Sequence, residues 1–371
     1  MKTNIKNLLL PIISALIIFI FSAAYVFGGQ KDYSESERRL LSKFPEISLS
    51  SVSDGKFMDD FESYSLDQFP VRDTMRSIKA LTEFFIFGNT ECNGFYVEDG
   101  HLVKIEYPQD DSMLDYAAAK FKRLCEMYFK DKNCNIYFSL VPDKGAFLAE
   151  KAGVLSFDYD NFADNMIQRL PDMNYIDIFP YLSADDYYTT DPHWRQEKIT
   201  DVANALSEAM GNPLSDSYET VKLDVPFYGA YYGQAALPKQ PDDICYLTSD
   251  TIKGCTVKKL DDKTGEFVYS EMYNMENANG RDPYEMFLSG SQPIMVIENS
   301  NADTEKELVL FRDSYGSSLA PLLAESYKKI TLIDIRYIDS NFLGAFVDFN
   351  ETDDVLFMYS TLILNSSTSM R

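Results

Sequence analysis

Short apolar segments alternate with amphipathic helical segments along most of this chain, and this alternation constrains the fold more than any other feature. Residues 113–129 have helical apolar spacing, and the apolar run 135–141 after them has the length of a strand. The alternation returns at 294–359, where four short apolar runs flank one helical segment. It predicts an α/β fold with a mostly parallel sheet flanked by helices. Residues 211–290 show only short apolar runs, and we expect an insertion or an irregular subregion there.

Ser314 stands at the edge of the predicted sheet where a reaction site would form. It follows the apolar run 308–311 and precedes the helical segment 317–325. Ligands of open α/β sheets bind beyond the carboxyl ends of the strands, and the free N–H groups of a first helical turn can stabilise a negative intermediate. Serine is also an ordinary helix cap, so this segment alone predicts either a nucleophile or an N-cap.

A carboxylate and an imidazole lie two residues apart at Asp191 and His193. Residues i and i+2 of an extended backbone point the same way, and the intervening proline disfavours helical conformation for Asp191. The pair can therefore share one pocket with Ser314, as in Ser-His-Asp sites, whose members occur in any chain order. The alternative is a structural turn, and Asp185 or Asp186 could take the place of Asp191.

Three further residues have less specific surroundings. Lys144 follows the strand 135–141 and could meet a substrate at the sheet edge or be a solvated turn lysine. Arg336 follows the strand 330–335 and could bind an anionic group or pair with an acid. His101 adjoins a predicted Asp-Gly hairpin turn, and we expect it at the surface.

Residues 1–30 have the features of a targeting segment. Lys2 and Lys6 precede an almost uncharged apolar run at 8–27, which is long enough to span a bilayer. We expect a single-pass signal anchor of the cell membrane with an extracytoplasmic body, and secretion after signal cleavage is the alternative. The predicted organisation is a signal anchor at 1–30, a stalk or lead-in segment at 31–70, and the main domain at 71–371.

Composition excludes some partners. The formal net charge of −24 disfavours nucleic acid, whose phosphates need basic residues, and disfavours docking on anionic lipid head groups. The five cysteines have no CxxC spacing, so zinc is not indicated. They are too sparse for a disulfide framework, and we expect buried or unpaired thiols.

Several segments match the pattern of one family. The most specific are Tyr187–Trp194 and Arg312–Tyr315. The others are Ser34–Leu40 with Phe44-Pro45, Asp54–Phe57, Asp67–Arg72, Asn93–Tyr96 with Asp99-Gly100, Val141–Lys144, Tyr284–Gly290 and Asp334–Tyr337. The chain thereby resembles the DHHW family, which is SGNH-hydrolase-like and similar to the periplasmic alginate O-acetylation proteins. It departs from the family pattern at Pro192, where the family name calls for a histidine.

The resemblance implies an SGNH-hydrolase-like domain with a serine triad. Asp191 and His193 fall on the Asp-x-His pair of the family, and Ser314 falls on its nucleophile. We predict these three residues to be catalytic. The residues predicted to contact substrate are Lys144, Arg336, Tyr315 and Tyr188.

The leading hypothesis is a membrane-anchored extracytoplasmic O-acetyltransferase that acts on a cell-envelope or exported polysaccharide and needs no cofactor or metal. The resemblance implies that a multi-spanning membrane acyltransferase supplies the acetyl group. A carbohydrate acetylesterase with the same triad is the first alternative, because only the acceptor would differ. The second is a non-catalytic polysaccharide-binding or assembly protein, since the 25 tyrosines could form a sugar-binding surface.

Overall fold

The computed structural model describes residues 5–215 and 217–371. Residue 216 and residues 1–4, which include Lys2 of the predicted targeting segment, lie outside the described part. The chain divides into two compact units. The first comprises the residues up to Asn93 together with Tyr232–Pro238, and the second comprises Gly94–Tyr231 and Lys239–Arg371. The predicted division into anchor, lead-in segment and main domain stays a prediction.

Helices and strands follow one another along both units. The α-helices are Ile5–Phe27 (α1), Leu49–Ser53 (α2), Lys56–Asp67 (α3), Arg72–Leu81 (α4), Asp111–Tyr128 (α5), Gly145–Ala152 (α6), Tyr159–Arg169 (α7), Thr200–Ala209 (α8), Ala230–Ala235 (α9), Asp250–Gly254 (α10), Met275–Ala278 (α11), Tyr315–Leu323 (α12) and Thr361–Leu364 (α13). The strands are Tyr33–Ser34 (β1), Arg39–Leu40 (β2), Glu91–Cys92 (β3), Phe95–Glu98 (β4), His101–Lys104 (β5), Asn135–Val141 (β6), Asn174–Tyr175 (β7), Glu219–Phe227 (β8), Asp242–Thr248 (β9), Thr256–Leu260 (β10), Phe267–Ser270 (β11), Ile294–Glu298 (β12), Glu307–Arg312 (β13), Lys329–Ile333 (β14) and Thr352–Ser360 (β15).

An apolar helix begins the first unit. Among the described residues, α1 is the single helix that is long and apolar enough to cross a bilayer, over Leu9–Phe27. Such a helix fits a signal anchor or a signal peptide. Ion pairs hold the polar part of this unit: Arg39 pairs with Asp67 at 2.5 Å, and Arg72 pairs with Glu37.

A central eight-stranded sheet organises the second unit. Its strand order is β11-β10-β12-β14-β13-β15-β6-β7. The five strands from β14 to β7 run parallel, whereas β12, β10 and β11 are added antiparallel at one edge. This arrangement confirms the predicted α/β fold with a mostly parallel sheet. Short strands with continuous apolar runs, such as β13, are typical of sheets that are covered on both faces.

Side chains alternate between two cores because successive residues of a strand point to opposite faces. Leu310 of β13 faces the core that contains α8 and α12, whereas Phe311 faces the core that contains α5. In the second core, Phe357 of β15 stacks on Phe311 at 4.6 Å and on Phe121 of α5 at 4.7 Å between ring centroids. Burial of these faces fixes the register of the parallel strands.

The parallel register brings the carboxyl ends of three strands to one edge of the sheet. Arg312 at the end of β13 lies opposite Met358 of β15, and Ser360 at the end of β15 lies opposite Val141 of β6. The chain segments that leave β13 and β6 therefore emerge side by side. Ser314 lies on the first of these segments.

Several local predictions are confirmed. The hairpin β4–β5 turns at Asp99 and Gly100, which have φ of 46° and 84°, as a tight turn with two left-handed residues requires. All five cysteines, each within the described chain, are free thiols. The helix after Ser314 begins at Tyr315, two residues earlier than its apolar spacing indicates.

Residues 211–290 are more regular than their composition indicates. β8 and β9 pair antiparallel, and β10 and β11 extend the central sheet. The sequence of β10 carries two lysines, of which Lys258 reaches Glu298 on the neighbouring strand at 2.7 Å. A strand with such polar positions shows no apolar run, so its sequence does not reveal it.

Candidate active site

Ser314 lies between β13 and α12, and its side chain does not cap the helix. It occupies the N-cap position with φ of −62° and ψ of −24°, and it makes no side-chain capping hydrogen bond. Its Oγ instead lies 2.7 Å from Nε2 of His193. The Asp313 carboxylate accepts hydrogen bonds from the backbone N–H groups of Tyr315 at 3.1 Å and of Ser360 at 2.8 Å. These bonds fix the turn that presents Ser314.

His193 joins Ser314 to Asp191. Its Nδ1 lies 2.5 Å from Oδ1 of Asp191. With the proton on Nδ1, the ring donates to the carboxylate, and Nε2 accepts from the Ser314 hydroxyl. Neighbouring Trp194 is fully buried and donates from Nε1 to Oγ of Ser318 at 2.9 Å, so the segment that carries His193 is anchored on α12.

Asp191 is buried and ionised. Besides the imidazole, its carboxylate accepts from the backbone N–H of His193 at 3.1 Å and from that of Ala230 at 2.8 Å. Burial alone would raise the pKa of Asp191. The interaction with His193 and the two backbone N–H groups lowers it by more than burial raises it, so this pKa lies below its ordinary value. The other carboxylates considered from sequence do not take this place: Asp186 accepts from the backbone N–H of Ser183 at 2.7 Å instead, and Asp185 is exposed.

Gly229 permits the close approach that brings Ala230 to Asp191. A Cβ at residue 229 would lie 2.3 Å from Cβ of Asp191 and 2.4 Å from the backbone oxygen of Thr190. Such distances are far below van der Waals contact, so any larger residue would displace the backbone. The sequence gives no signal for this contact, because 38 or more residues separate Gly229 from the segment that it touches.

Asp242 supports the segment that leads to Asp191. Its carboxylate accepts from the backbone N–H and the hydroxyl of Thr189, both at 2.8 Å. It also accepts from the backbone N–H of Thr190 at 2.8 Å and from its hydroxyl at 2.6 Å. Four hydrogen bonds to one carboxylate rigidify the backbone on which the candidate site depends. Sequence reasoning missed Asp242, since one aspartate among many gives no signal.

Two tyrosines enclose the imidazole. The ring of Tyr284 stacks on His193 with 3.8 Å between ring centroids and 10° between ring planes. The hydroxyl of Tyr284 lies 2.9 Å from Oγ of Ser318. Tyr315 lies 5.0 Å from His193 and donates from its hydroxyl to the backbone oxygen of Pro192 at 2.8 Å. Tyr284 was not among the predicted site residues, although it lies in a segment that matches the family pattern.

Lys144 is not at the surface of the candidate site but is buried against the segment that leads to Asp191. The Nζ of Lys144 donates to the backbone oxygens of Tyr188 at 3.0 Å and Thr189 at 3.4 Å. Burial lowers the pKa of Lys144 to about 7, although the carboxylates of Asp191 and Asp242 oppose this shift. The solvated turn lysine considered from sequence is therefore wrong. The geometry supports a positioning role and gives no support to substrate contact.

Tyr188 and Arg336 also have structural partners. Tyr188 is fully buried and packs edge-on against Phe227 with 4.8 Å between ring centroids. Arg336 forms a bidentate pair with Asp334, with distances of 2.9 and 2.7 Å. This acid pairing is one of the two roles considered for Arg336. Substrate contact of Tyr188, Arg336 or Tyr315 stays a prediction, which burial of the two tyrosines does not support.

The prediction that His101 lies at the surface is wrong, since only 4% of this residue is exposed. The hairpin that carries it is covered, because the backbone N–H of the next residue, Leu102, donates to the backbone oxygen of Thr189 at 2.8 Å. Burial lowers the pKa of His101 to about 4, and the nearby Lys144 lowers it further. A turn signal in the sequence locates a hairpin but not what packs against it.

Solved structures of other proteins share this architecture. The chain is similar to a DHHW family protein from Eubacterium siraeum, with a TM-score of 0.60 and 24% sequence identity over 75% of this chain and 94% of that one. The chain has the fold of a DHHW family protein. The predicted resemblance is thus confirmed at the level of the fold.

Two structures of Bacillus cereus PatB1 match as well. The one with a sulfonyl adduct has a TM-score of 0.60 and 20% identity, over 73% of this chain and 95% of that chain. The other has a TM-score of 0.56 and 18% identity, over 73% of this chain and 96% of that chain. No protein-family model and no curated protein sequence matches the chain.

We expect the ring of Tyr284 to matter for the reactivity of Ser314 through its stack on His193. Replacement Tyr284→Leu removes the stack, and an aromatic contact of this kind contributes about 0.5–1.5 kcal/mol. Labelling of Ser314 by a serine-directed phosphonate should therefore slow by about two- to tenfold. The matched variant Tyr284→Phe keeps the ring and should label at nearly the wild-type rate. Equal slowing in both variants would instead assign the effect to the hydroxyl.

We expect buried Lys144 to make stability depend on pH. Folded Lys144 loses its proton near pH 7, whereas the unfolded chain keeps it up to the ordinary pKa of 10.5. The unfolded state therefore binds more protons between these values, and the free energy of unfolding rises with pH there by about 1.4 kcal/mol per pH unit. Urea unfolding of the full chain in detergent, followed by Trp194 fluorescence, measures this slope. The variant Lys144→Met should lack this contribution, and equal slopes in both proteins would refute it.

Proposed function

We propose that this protein is an extracytoplasmic serine O-acyltransferase that transfers acetyl groups to a polysaccharide. The observation that carries the proposal is the continuous hydrogen-bonded chain from Asp191 through His193 to Ser314, with 2.5 Å and 2.7 Å between the paired atoms. A proton can pass between groups at these distances. A serine without a base is a weak nucleophile, and an adjacent imidazole activates it.

The proposed reaction has two halves. In the first, Ser314 Oγ attacks the carbonyl carbon of an acetyl ester while Nε2 of His193 takes the hydroxyl proton. The tetrahedral intermediate collapses, its alkoxide leaving group takes this proton from His193, and an acetyl-Ser314 ester remains. In the second half, an acceptor hydroxyl gives its proton to His193 and attacks this ester. The product ester leaves, and Ser314 recovers its proton. Asp191 holds the ring and stabilises the imidazolium in both halves.

The backbone N–H of Ser314 is the proposed donor to the oxyanion. It makes no hydrogen bond to any described residue, whereas the next two backbone N–H groups, of Tyr315 and Gly316, both donate to Asp313. Ser314 also lies at the positive end of the α12 dipole. Donors directed at the developing negative charge are among the strongest contributions to such reactions.

Two further observations support the proposal. The apolar α1 fits an anchor or a signal for export, which would bring the chain to the compartment of cell-envelope polysaccharides. PatB1 has been solved with a sulfonyl adduct, and sulfonyl groups are electrophiles that trap activated hydroxyls. In this proposal, the acetyl donor is a multi-spanning membrane acyltransferase, as the sequence resemblance implies.

An acetylesterase is the alternative that one observation favours. The His193 side chain is 14% exposed, so water can reach the base that would activate it. Hydrolysis uses the same first half, with water in place of the sugar hydroxyl.

We expect Ser314→Ala to abolish labelling by a serine-directed phosphonate, because the probe needs the hydroxyl that His193 activates. The control is Ser317→Ala, which removes a buried serine of the same helix that lies outside the Asp-His-Ser chain. This control should label like the wild type. Absence of labelling in folded wild-type protein would reject the enzyme and favour a polysaccharide-binding role.

Incubation of the full chain with an acetyl ester, with and without an oligosaccharide, separates transfer from hydrolysis. We expect acetylated oligosaccharide to form, detected by its mass, and Ser314→Ala to form none. Release of acetate at the same rate whether or not the sugar is present would support the esterase and contradict the transferase.

A further inference from the structure

The outer face of α4 in the first unit carries a stripe of exposed apolar side chains. Helix α4 continues into a π-helical turn, Thr82–Phe87. Phe85 is 76% exposed, and it ends a stripe of exposed apolar side chains at helical spacing. The other members of this stripe, which we name the α4 stripe, are Val71, Met75, Ile78 and Leu81. The adjoining Ile86 and Phe87 are exposed as well.

The inner face of the same helix is basic. Arg72 pairs with Glu37, and Arg76 donates to the backbone oxygens of Gly233 at 2.9 Å and Gln234 at 2.6 Å. A helix on the surface of a water-soluble domain has the opposite arrangement, with apolar residues inward and charges outward. Helix α4 thus directs Arg72 and Arg76 inward and leaves a stripe of apolar side chains exposed, beside exposed Asp73 and Lys79.

Contacts with α1 show which part of the α1 axis lies beside the start of the α4 stripe. Phe21 of α1 stacks on Phe69 with 5.5 Å between ring centroids, and Tyr25 donates to Oγ of Ser65 at 3.3 Å. Phe21 lies six residues before the end of α1 at Phe27, which corresponds to about 9 Å along the helix axis. Phe69 therefore lies beside the last turns of the apolar helix, and α4 begins three residues after it.

We propose that the α4 stripe lies in the outer interface of the lipid bilayer that α1 spans. The contact between Phe21 and Phe69 brings the start of α4 to the depth where an α1 that crosses the bilayer meets the head groups. Aromatic residues such as Tyr25 and Tyr64 favour this depth. An amphipathic helix in this region buries its apolar face at the boundary of head groups and acyl chains.

Apolar insertion, and not charge, holds the stripe in this proposal. The net charge of −24 would repel anionic head groups, and the exposed stripe contains no charged residue. The binding should therefore occur on zwitterionic lipid and should not weaken in high salt. Lipid acyl chains match a stripe whose exposed side chains are all apolar.

Fluorescence quenching by brominated lipids tests the depth of the stripe in the full chain. The chain has one tryptophan, Trp194, which is fully buried and gives a constant background. The variant Phe85→Trp places a reporter at the exposed end of the stripe. Ile17→Trp reports on the middle of α1, and Asp73→Trp reports on the opposite side of α4. Each protein is reconstituted in phosphatidylcholine vesicles with bromine either near the glycerol end or near the middle of the acyl chains.

We expect Phe85→Trp to lose most fluorescence with bromine near the glycerol end, Ile17→Trp with bromine at mid-chain, and Asp73→Trp to lose less than Phe85→Trp with either lipid. Quenching of Ile17→Trp without quenching of Phe85→Trp would overturn the proposal and leave the stripe for a protein partner. Absence of quenching at Ile17→Trp would overturn the membrane-spanning role of α1 and the proposal with it.

Discussion

The parallel alignment of β13, β15 and β6 is the constraint on which the candidate site depends. Their register is fixed by apolar side chains on both faces, since a one-residue slip would turn every buried side chain toward the opposite core. The alignment brings the ends of β13 and β15 together, so that Asp313 bonds to the backbone of Ser360 and holds the turn at Ser314. The hydroxyl of Ser314, on the tight turn after β13, therefore lies at the edge of the sheet.

The candidate site also needs buried polar groups that have the right partners. Lys144 is buried and Asp242 is half-buried, and both bind the backbone of the segment before Asp191. A buried charge costs free energy unless hydrogen bonds compensate for its lost water. Here these bonds fix a segment that has little regular secondary structure of its own. The site therefore depends on the hydrogen bonds of Lys144 and Asp242 to this segment as well as on the geometry of Asp191, His193 and Ser314.

The fold was largely predictable because its signals are local. Helix α5 and strand β6 have apolar periodicities that belong to single elements, and the turn at Asp99-Gly100 has its own chemistry. The strand β10 was not predictable, because its polar residue Lys258 pairs with Glu298, which lies 40 residues further along the chain. The burial of His101 was missed for the same reason, since it depends on what packs on the hairpin.

Within the candidate site, the sequence alone indicated the Asp191–His193 pair from its i, i+2 spacing. The expected extended backbone is wrong, because the segment is bent and the backbone N–H of His193 donates to Oδ1 of Asp191, so a local turn brings the two side chains together. The sequence also determined that Ser314 lies between a strand and a helix. Only the tertiary structure decided that Ser314 meets His193, which lies 121 residues away, and does not cap its helix. It likewise decided that Tyr284 stacks on the imidazole. Such contacts arise from the packing of distant segments, which no local pattern encodes.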